Sequence, residues 1–299
     1  MIAYLYICSA SFAYNGTDSI LDVCEKIKQF TLLFDYIWEN FREDNKFCVN
    51  KTQLPEVLVY DKITLADLLF SEKSSLDKRY RLLFYTALQK SRPTKIVKNQ
   101  DLRDYLSLES AEECQGIVVI NRQKDIPICN QVFSSIQGWR NFRRYFLSKY
   151  PTSPEFFISE AEKYFPGLQF SVNICSKLNE VLHTHSRKIV EGLSILSDYC
   201  YRDWNNYSRD SRDSVAFISY FAKTYGSNGS FEGTKKASLK ARFRQKYKKE
   251  EFECYCEPHL KYNEDDNGNE QQYMRIYFQH PNASPDEYIY IGYIMKHVD

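Results

Sequence analysis

The spacing of hydrophobic residues predicts helices through most of the first two hundred positions, introduced by one short strand. The opening AYLYIC has the length and apolar content of a buried strand. Thr17-Asp18-Ser19 predicts the start of a helix, since Asp22 follows Ser19 in a near capping-box position. Apolar residues then recur at helical spacing from Ile20 to Phe41, which predicts a helix buried along one face.

Similar signals locate the remaining elements of this region. They predict helices at about 64–70, 75–90 and 134–149, a buried strand in GIVVIN at 116–121, a helix from Ser153-Pro154 to Pro166-Gly167, and a longer helix at about 176–200. Residues 202–213 are polar and lack periodicity, which predicts a linker. The chain is therefore predicted to be α+β, with a mostly helical domain at 1–201 and a second domain at 214–299.

Alternation of apolar and polar residues is clearest near the end of the sequence. The segments FECYCEPHLKY, YMRIYFQH and EYIYIGYIMKHV predict three strands of an antiparallel sheet, and Asn267-Gly268 predicts the hairpin turn between the first two. In the first strand the even-numbered residues from Phe252 to Leu260 are predicted to face a core. The odd-numbered residues from Glu253 to Lys261 are predicted to face outward.

The hydrophobic pattern also restricts how the first two of these strands pair. Their core faces stay together only when even residues pair with even residues. That register places Arg275 opposite His259 or Lys261, and Tyr277 opposite Glu257 or His259. A polar group is therefore expected on one exposed face of the sheet.

The formal net charge of the chain is +1, but its charges are segregated. Residues 235–249 contain eight Lys or Arg and no acid, whereas residues 250–270 contain eight acids and one Lys. The basic block predicts a helix beside the sheet. Its candidates for binding a nucleic-acid backbone are Lys235, Lys236, Lys240, Arg242, Arg244 and Lys246.

The segments PHLKY, MRIYF and IYIGYIMKHV resemble the closing strands of the RelE/ParE-type toxin fold, a small antiparallel sheet with helices on one side. With YFPGLQF and the long helix after it, this ending also resembles uncharacterised bacterial proteins that carry a RelE-like end. Genes for such proteins often sit among antiphage defence and toxin–antitoxin loci. The fold resemblance is confined to the last quarter of the chain.

The resemblance implies a metal-independent ribonuclease, in which an RNA 2′-hydroxyl attacks the adjacent phosphate. Arg275 would bind the phosphate, and Lys261 would stabilise the charge that develops beside it. His259 or His297 would transfer protons, because histidine titrates near neutral pH. Tyr277 would stack on a base or orient the phosphate. RNA is the partner that this interpretation expects, with no cofactor and no metal.

A second interpretation makes the chain a binding protein and not an enzyme. It would then be a non-enzymatic adaptor or regulatory subunit that binds a protein partner of a defence complex. A nuclease needs the polar group exposed and unpaired, whereas an adaptor tolerates its neutralisation by Glu253 and Glu257. A salt-bridged outer face without any site predicts instead that Glu257 pairs with Arg275 and that Lys261 pairs with a neighbouring acid.

Two metal-dependent interpretations are weaker. Cys254, Cys256 and His259 have zinc-ligand chemistry, but the strand pattern points both cysteines to the core and His259 away from it. Glu253, Glu257 and Lys261 resemble the acid–acid–lysine set of metal-dependent nucleases, but they are spaced by four rather than compactly.

The sequence also predicts the cellular compartment of the protein. The start, MIAYLYICSASF, lacks the basic region of a signal peptide, and no stretch reaches the roughly 18 apolar residues of a membrane span. The nine cysteines are scattered, apart from Cys254 and Cys256. They are therefore expected to be reduced thiols in a cytoplasmic protein without membrane contact.

Overall fold

The computed structural model describes residues 1–94, 104–122, 124, 126, 128–210, 213–231, 239–244, 251–281 and 287–297. It contains both helices and sheets, which the predicted α+β class requires. The chain divides into two compact units, Met1–Arg143 and Arg144–Asp299.

The N-terminal unit is built on a sheet that the sequence did not predict. Its strands are β1 (Ile2–Ile7), β2 (Asn45–Val49), β5 (Arg92–Pro93), β6 (Glu113–Val118) and β7 (Val132–Phe133), and a small hairpin is formed by β3 (Leu58–Tyr60) and β4 (Ile63–Thr64). The five strands lie in the order β5-β2-β1-β6-β7, and each neighbouring pair is parallel. The prediction of a mostly helical domain missed this parallel sheet, because only β1 and β6 have long enough apolar runs to be recognised.

Helices connect these strands, and their starts follow from local sequence. They are α1 (Ile20–Phe41), α2 (Leu65–Phe70), α3 (Lys78–Lys90) and α4 (Ile136–Lys149), and the boundary between the units falls within α4. Ser19 and Asp22 form a complete capping box, as the sequence predicted. Thr64 caps α2 in the same way, and the Asp77 side chain caps α3 by accepting from the Arg79 N–H.

The C-terminal unit combines helices with an antiparallel sheet. Its helices are α5 (Pro154–Tyr164), α6 (Ile174–Leu178), α7 (Leu182–Ile195), α8 (Tyr201–Asp210) and α9 (Ser214–Thr224). Its strands are β8 (Leu168–Phe170), β9 (Asn228–Phe231), β10 (Lys240–Arg244), β11 (Glu251–Tyr255), β12 (Pro258–Glu264), β13 (Glu270–Phe278) and β14 (Ile289–Lys296).

The main sheet of this unit has the order β8-β14-β13-β12-β9, in which β8 pairs in parallel and the other three pairings are antiparallel. One face of the sheet packs against α7, where Gly192 permits close approach. A Cβ atom on Gly192 would lie 2.6 Å from Ile276 Cδ1 and 2.7 Å from Tyr262 Oη. The opposite face carries β10 and β11, which form a separate two-stranded hairpin.

Three predictions about this region are wrong. The predicted linker 202–213 lies largely within helix α8, where Trp204 is buried and packs edge-to-face on Phe217. The two compact units divide at Arg143–Arg144, and not at 202–213. The long helix predicted at about 176–200 is instead α6 and α7 followed by a π-helical turn, Leu196–Cys200.

The predicted basic helix is also wrong where the structure describes it. Lys240–Arg244 is a strand, because the buried Ala241 and Phe243 alternate with exposed cations. This is the period of a strand and not of a helix. The predicted strand FECYCEPHLKY, residues 252–262, is interrupted before Pro258, which has no N–H to donate to a ladder.

The turn between β12 and β13 gives a pH-dependent prediction. Asp265 accepts hydrogen bonds from the backbone N–H groups of Asn267 and Asn269, both at 2.9 Å, and from Asn269 Nδ2 at 2.8 Å. The bonds from Asn269 are the main reason that the pKa of Asp265 is lowered. Because the folded-state pKa is below the unfolded one, this carboxylate stabilises the fold above about pH 4, and the stabilisation disappears as pH falls through the lowered value.

Asp265→Asn should therefore unfold at a lower urea concentration than the wild type at pH 7, and the difference should shrink at pH 3. Glu162→Gln, at an exposed position of α5, is the matched control and should show no such difference. An Asp265→Asn difference of equal size at both pH values would contradict the prediction.

Candidate functional site

The register of β12 and β13 brings the predicted polar group together. Lys261 pairs with Arg275, and His259 pairs with Tyr277. The His259 and Tyr277 rings are in contact, with centroids 4.9 Å apart. The pairing is one of those that the hydrophobic pattern required, so this part of the prediction is confirmed. The catalytic roles that the resemblance implies for these residues stay predictions.

The group is enclosed, whereas the sequence predicted an exposed face. His259 is 2% exposed, Tyr277 is 4% exposed and Arg275 is 7% exposed. Lys261 is half-buried. Glu257 is buried as well, and its Oε1 has no hydrogen-bond partner in the part of the chain that the structure describes.

Both ring nitrogens of His259 are engaged. Nδ1 lies 3.1 Å from the Glu257 backbone carbonyl, and Nε2 lies 2.9 Å from Ser230 Oγ. A carbonyl oxygen can only accept, so Nδ1 carries the proton, and the Ser230 hydroxyl donates to Nε2 when the ring is neutral. Proton transfer to a substrate through either nitrogen would require breaking one of these bonds.

His297 lies next to this group in the sheet. Its backbone N–H donates to the Tyr273 carbonyl at 3.0 Å. His297 and Tyr273 are therefore each two residues along their strands from the Arg275–Met295 pair, and they lie on the same face of the sheet as that pair. The side chain of His297 is half-buried. The structure therefore places all five predicted catalytic residues on one face of the sheet, although it encloses three of them.

The β10–β11 hairpin covers this face. Its inward residues join the sheet in one apolar cluster, which contains Leu239, Ala241, Phe243, Phe252, Cys254, Cys256, Tyr277, Tyr290, Tyr293 and Met295. Tyr293 Oη also donates to the Lys240 carbonyl at 2.7 Å. Gly292 permits the close packing of Cys256 against the sheet, since a Cβ atom at residue 292 would lie 2.6 Å from Cys256 Sγ. The hydrogen bond with Cys254, together with burial, raises the pKa of Cys256.

The outward face of the hairpin carries paired charges. Lys240 Nζ lies 2.5 Å from Glu253, and Arg242 and Arg244 lie 3.7 Å and 3.1 Å from Glu251. The hydrogen bond between Lys240 and Glu253 raises the pKa of the ammonium and lowers that of the carboxyl. The other predicted nucleic-acid contacts, Lys235, Lys236 and Lys246, lie outside the described residues.

A polar cavity of about 680 Å³ lies where β9 stops pairing with β12. Lys261 lines this cavity together with Lys188 and Glu191 of α7, Tyr262 of β12, and Glu270 of β13. Sequence reasoning missed all of these except Lys261. No local signal marks them, because they come from separate elements that meet only in the folded unit.

Comparison with known proteins gives no relative: no protein-family model, curated protein or solved structure matches the chain.

The geometry also bears on the two metal-dependent interpretations. Within the described ranges, no three His, Cys, Asp or Glu side chains come together as metal ligands. Cys254 and Cys256 belong to the apolar cluster of the hairpin, and His259 lies on β12. Glu253 is held by Lys240 on the hairpin, away from the strand that carries Lys261.

No described helix combines the length and the hydrophobicity that spanning a bilayer requires.

The N-terminal unit has a second place where a ligand site would be expected. Counted along the chain, its parallel strands have the order 3-2-1-4-5, so the strand order reverses between β1 and β6, a usual binding position at the carboxyl ends of the strands. Here Ser11 Oγ donates to the Cys8 carbonyl and accepts from the Ile120 N–H. Lys26 Nζ contacts Asp18 at 2.5 Å and Asn121 at 2.7 Å. These polar groups are therefore already bonded within the unit.

Proposed function

We propose that this protein is a non-enzymatic adaptor, or regulatory subunit, that binds a protein partner through its C-terminal unit. The observation that carries the proposal is the enclosure of the candidate acid–base group. His259 and Arg275 are buried beneath other parts of the same unit, and both nitrogens of His259 already have partners. A general acid or base has to reach the proton that it transfers, directly or through one water.

The charges of the hairpin support the same proposal. Its described outward face carries three cations, Lys240, Arg242 and Arg244, and two carboxylates, Glu251 and Glu253. RNA affinity depends on how many phosphates a surface neutralises. For a single strand, each neutralised phosphate contributes about −0.7 to the slope of log K against the logarithm of the salt concentration. An almost balanced face offers little such affinity, whereas alternating charges of both signs suit a protein surface.

A metal-independent ribonuclease of the RelE-like kind remains the second candidate. The observation that favours it is the cross-strand pairing of Lys261 with Arg275 beside His259 and Tyr277, since a cation pair next to a histidine is suited to cleaving a phosphodiester. Lys261 also lines an open cavity, through which a phosphate would have to approach.

Incubation of the purified chain with total RNA distinguishes the two candidates. We expect no cleavage above a buffer control, either in EDTA or with added magnesium. Lys261→Ala is the informative variant, because it removes a half-buried cation, whereas Arg275→Ala would leave a hole in a buried layer. Lys223→Ala, at an exposed position of α9, is its control. EDTA-resistant cleavage that is lost in Lys261→Ala and kept in Lys223→Ala would replace the adaptor with the ribonuclease.

A further inference from the structure

The cavity at the end of β9 exposes part of a sheet edge. Strand β12 continues to Glu264, but its pairing with β9 ends where Lys261 meets Asn228. Within the described chain, no strand lies beside 262–264 on that side. Backbone N–H and C=O groups at such an edge are able to pair with an added strand.

The charges around this edge favour a cationic occupant. Lys188 of α7 is paired with Glu264 at 2.8 Å. Glu191 and Glu270 also line the cavity, and both are exposed. Neither carboxylate has an ion-pair partner among the described residues, and Lys261 is the only remaining cation in the described lining. The lining thus carries more negative than positive charge, which disfavours a phosphate and favours an ammonium or guanidinium group.

Two buried hydroxyls in the lining have hydrogen-bonding capacity left over. Tyr262 is 8% exposed, and neither its Oη nor Ser227 Oγ has a partner in hydrogen-bond geometry among the described residues. Burial raises the pKa of Tyr262, and the nearby Ser227 hydroxyl partly offsets this effect. Even a direct bond between the two hydroxyls would leave acceptor positions and one donor unused. Buried polar groups in this condition favour a ligand that completes their bonds.

The rim of the cavity contains a residue in an unusual backbone conformation. Gln271 has a φ of 65°, in the left-handed region that residues other than glycine seldom adopt. It also lines the cavity, on the strand that follows the hairpin turn. Such conformations persist where the surrounding structure holds them, and they concentrate at binding sites.

We propose that this cavity binds an extended, basic segment of the partner protein, which adds to the exposed edge of β12. The backbone of the segment pairs with 262–264, and one of its Lys or Arg side chains lies between Glu191 and Glu270. The hydroxyls of Tyr262 and Ser227 complete their hydrogen bonds on the same segment. This inference rests on the proposed adaptor function, and it specifies where the partner binds and by what chemistry.

The test uses the full chain and a fluorescein-labelled peptide of seven residues that alternates threonine with lysine, followed by fluorescence anisotropy. We expect saturable binding, with no binding of the matching threonine–glutamate peptide. The Glu191→Gln/Glu270→Gln double variant should bind about tenfold more weakly, the scale of two lost ion pairs. Glu155→Gln/Glu162→Gln, at two exposed positions of α5, should bind like the wild type.

Two further arms test the strand addition itself. Methylation of alternate backbone nitrogens in the peptide should abolish binding, because it removes the donors that pair with the edge of β12. Equal binding of the methylated peptide, full competition by spermidine at equal charge concentration, or equal loss in the α5 control would each overturn the inference.

The outcomes also separate this inference from the proposed function. If the peptide does not bind and RNA is not cleaved, the inference alone fails and the partner binds elsewhere. If RNA is cleaved in EDTA with the dependence on Lys261 described above, the adaptor function fails whatever the peptide does.

Discussion

Arg144→Met should lower the free energy of unfolding of the C-terminal unit by about 3–5 kcal/mol, the range for breaking a buried ion pair by removing one partner. The Arg144 side chain is 2% exposed, and its guanidinium holds Asp198 through two bonds of 2.6 Å and 2.8 Å. Its Nε also donates to the Tyr164 carbonyl at 2.9 Å, and its Cζ atom lies 4.4 Å from the centre of the Phe165 ring. One side chain thereby joins α4, the end of α5 and the turn after α7.

Arg202→Met is the matched control for this prediction, because Arg202 pairs with Asp203 at 2.8 Å while its side chain is 60% exposed. Exposed pairs contribute about 0–1 kcal/mol, so this variant should unfold close to the wild type. Urea denaturation followed by fluorescence measures both variants, and hydrogen exchange locates the effect at α5. A loss in Arg144→Met no larger than that in Arg202→Met would show that the buried pair does not hold these helices together.

The Arg144→Met/Asp198→Leu double variant separates the ion pair from the space that it fills. Replacing both partners by apolar side chains leaves no unpaired buried charge, so stability should recover well above that of Arg144→Met alone. The double-mutant cycle then gives the coupling between the two residues.

Gly292→Ala should displace the β10–β11 hairpin from the main sheet. The added Cβ would lie 2.6 Å from Cys256 Sγ and 2.8 Å from Cys256 Cβ, distances that require the two layers to separate locally. Overpacking of this kind costs about 1–3 kcal/mol. If the whole cost destabilises the closed position of the hairpin relative to an open one, the population of the open state rises by roughly 5- to 150-fold.

The thiol of Cys256 reports this opening directly, because it is fully buried in the wild type. Its rate of modification by a thiol reagent, measured by mass spectrometry, should rise by the same factor. Cys200, which is buried among the helices, should keep its wild-type rate. Unchanged labelling of Cys256 in a folded Gly292→Ala protein would mean that the hairpin tolerates the methyl group without moving.

The same variant bears on function. Under the adaptor proposal, exposing Tyr277 and its neighbours gives no RNA cleavage. Cleavage that appears only in Gly292→Ala would make the hairpin a cover over a ribonuclease site, and the adaptor proposal would fall.

Local signals in the sequence predicted several elements well, because they depend only on residues a few positions apart. The capping box of Ser19 and Asp22 and the proline start at Ser153-Pro154 both occur as predicted. The pairing of Lys261 with Arg275 also follows from alternation, since a one-residue slip would turn the core face of one strand to the side of the other strand's polar face.

Features that depend on distant parts of the chain could not be predicted in this way. Strand β5 has only two residues, and it is a strand because β2 lies beside it. The burial of His259 depends on other elements of the folded unit, which a single strand pattern does not contain. The error at Lys240–Arg244 was avoidable, since the burial of Ala241 and Phe243 follows an alternation already visible in KARFR. The RelE-like resemblance stays a prediction.

The position of β14 determines when the C-terminal unit can be completed during synthesis. This strand lies between β8 and β13, so β8 gains its neighbour only after β14 has left the ribosome. The Ser171 hydroxyl bonds to the Gly292 carbonyl, 121 residues further along the chain. At about 5–20 residues per second, this interval lasts roughly 6–24 s. During that time the apolar edge of β8 would be open to chaperones or to other nascent chains, whereas every strand of the N-terminal sheet has already been made.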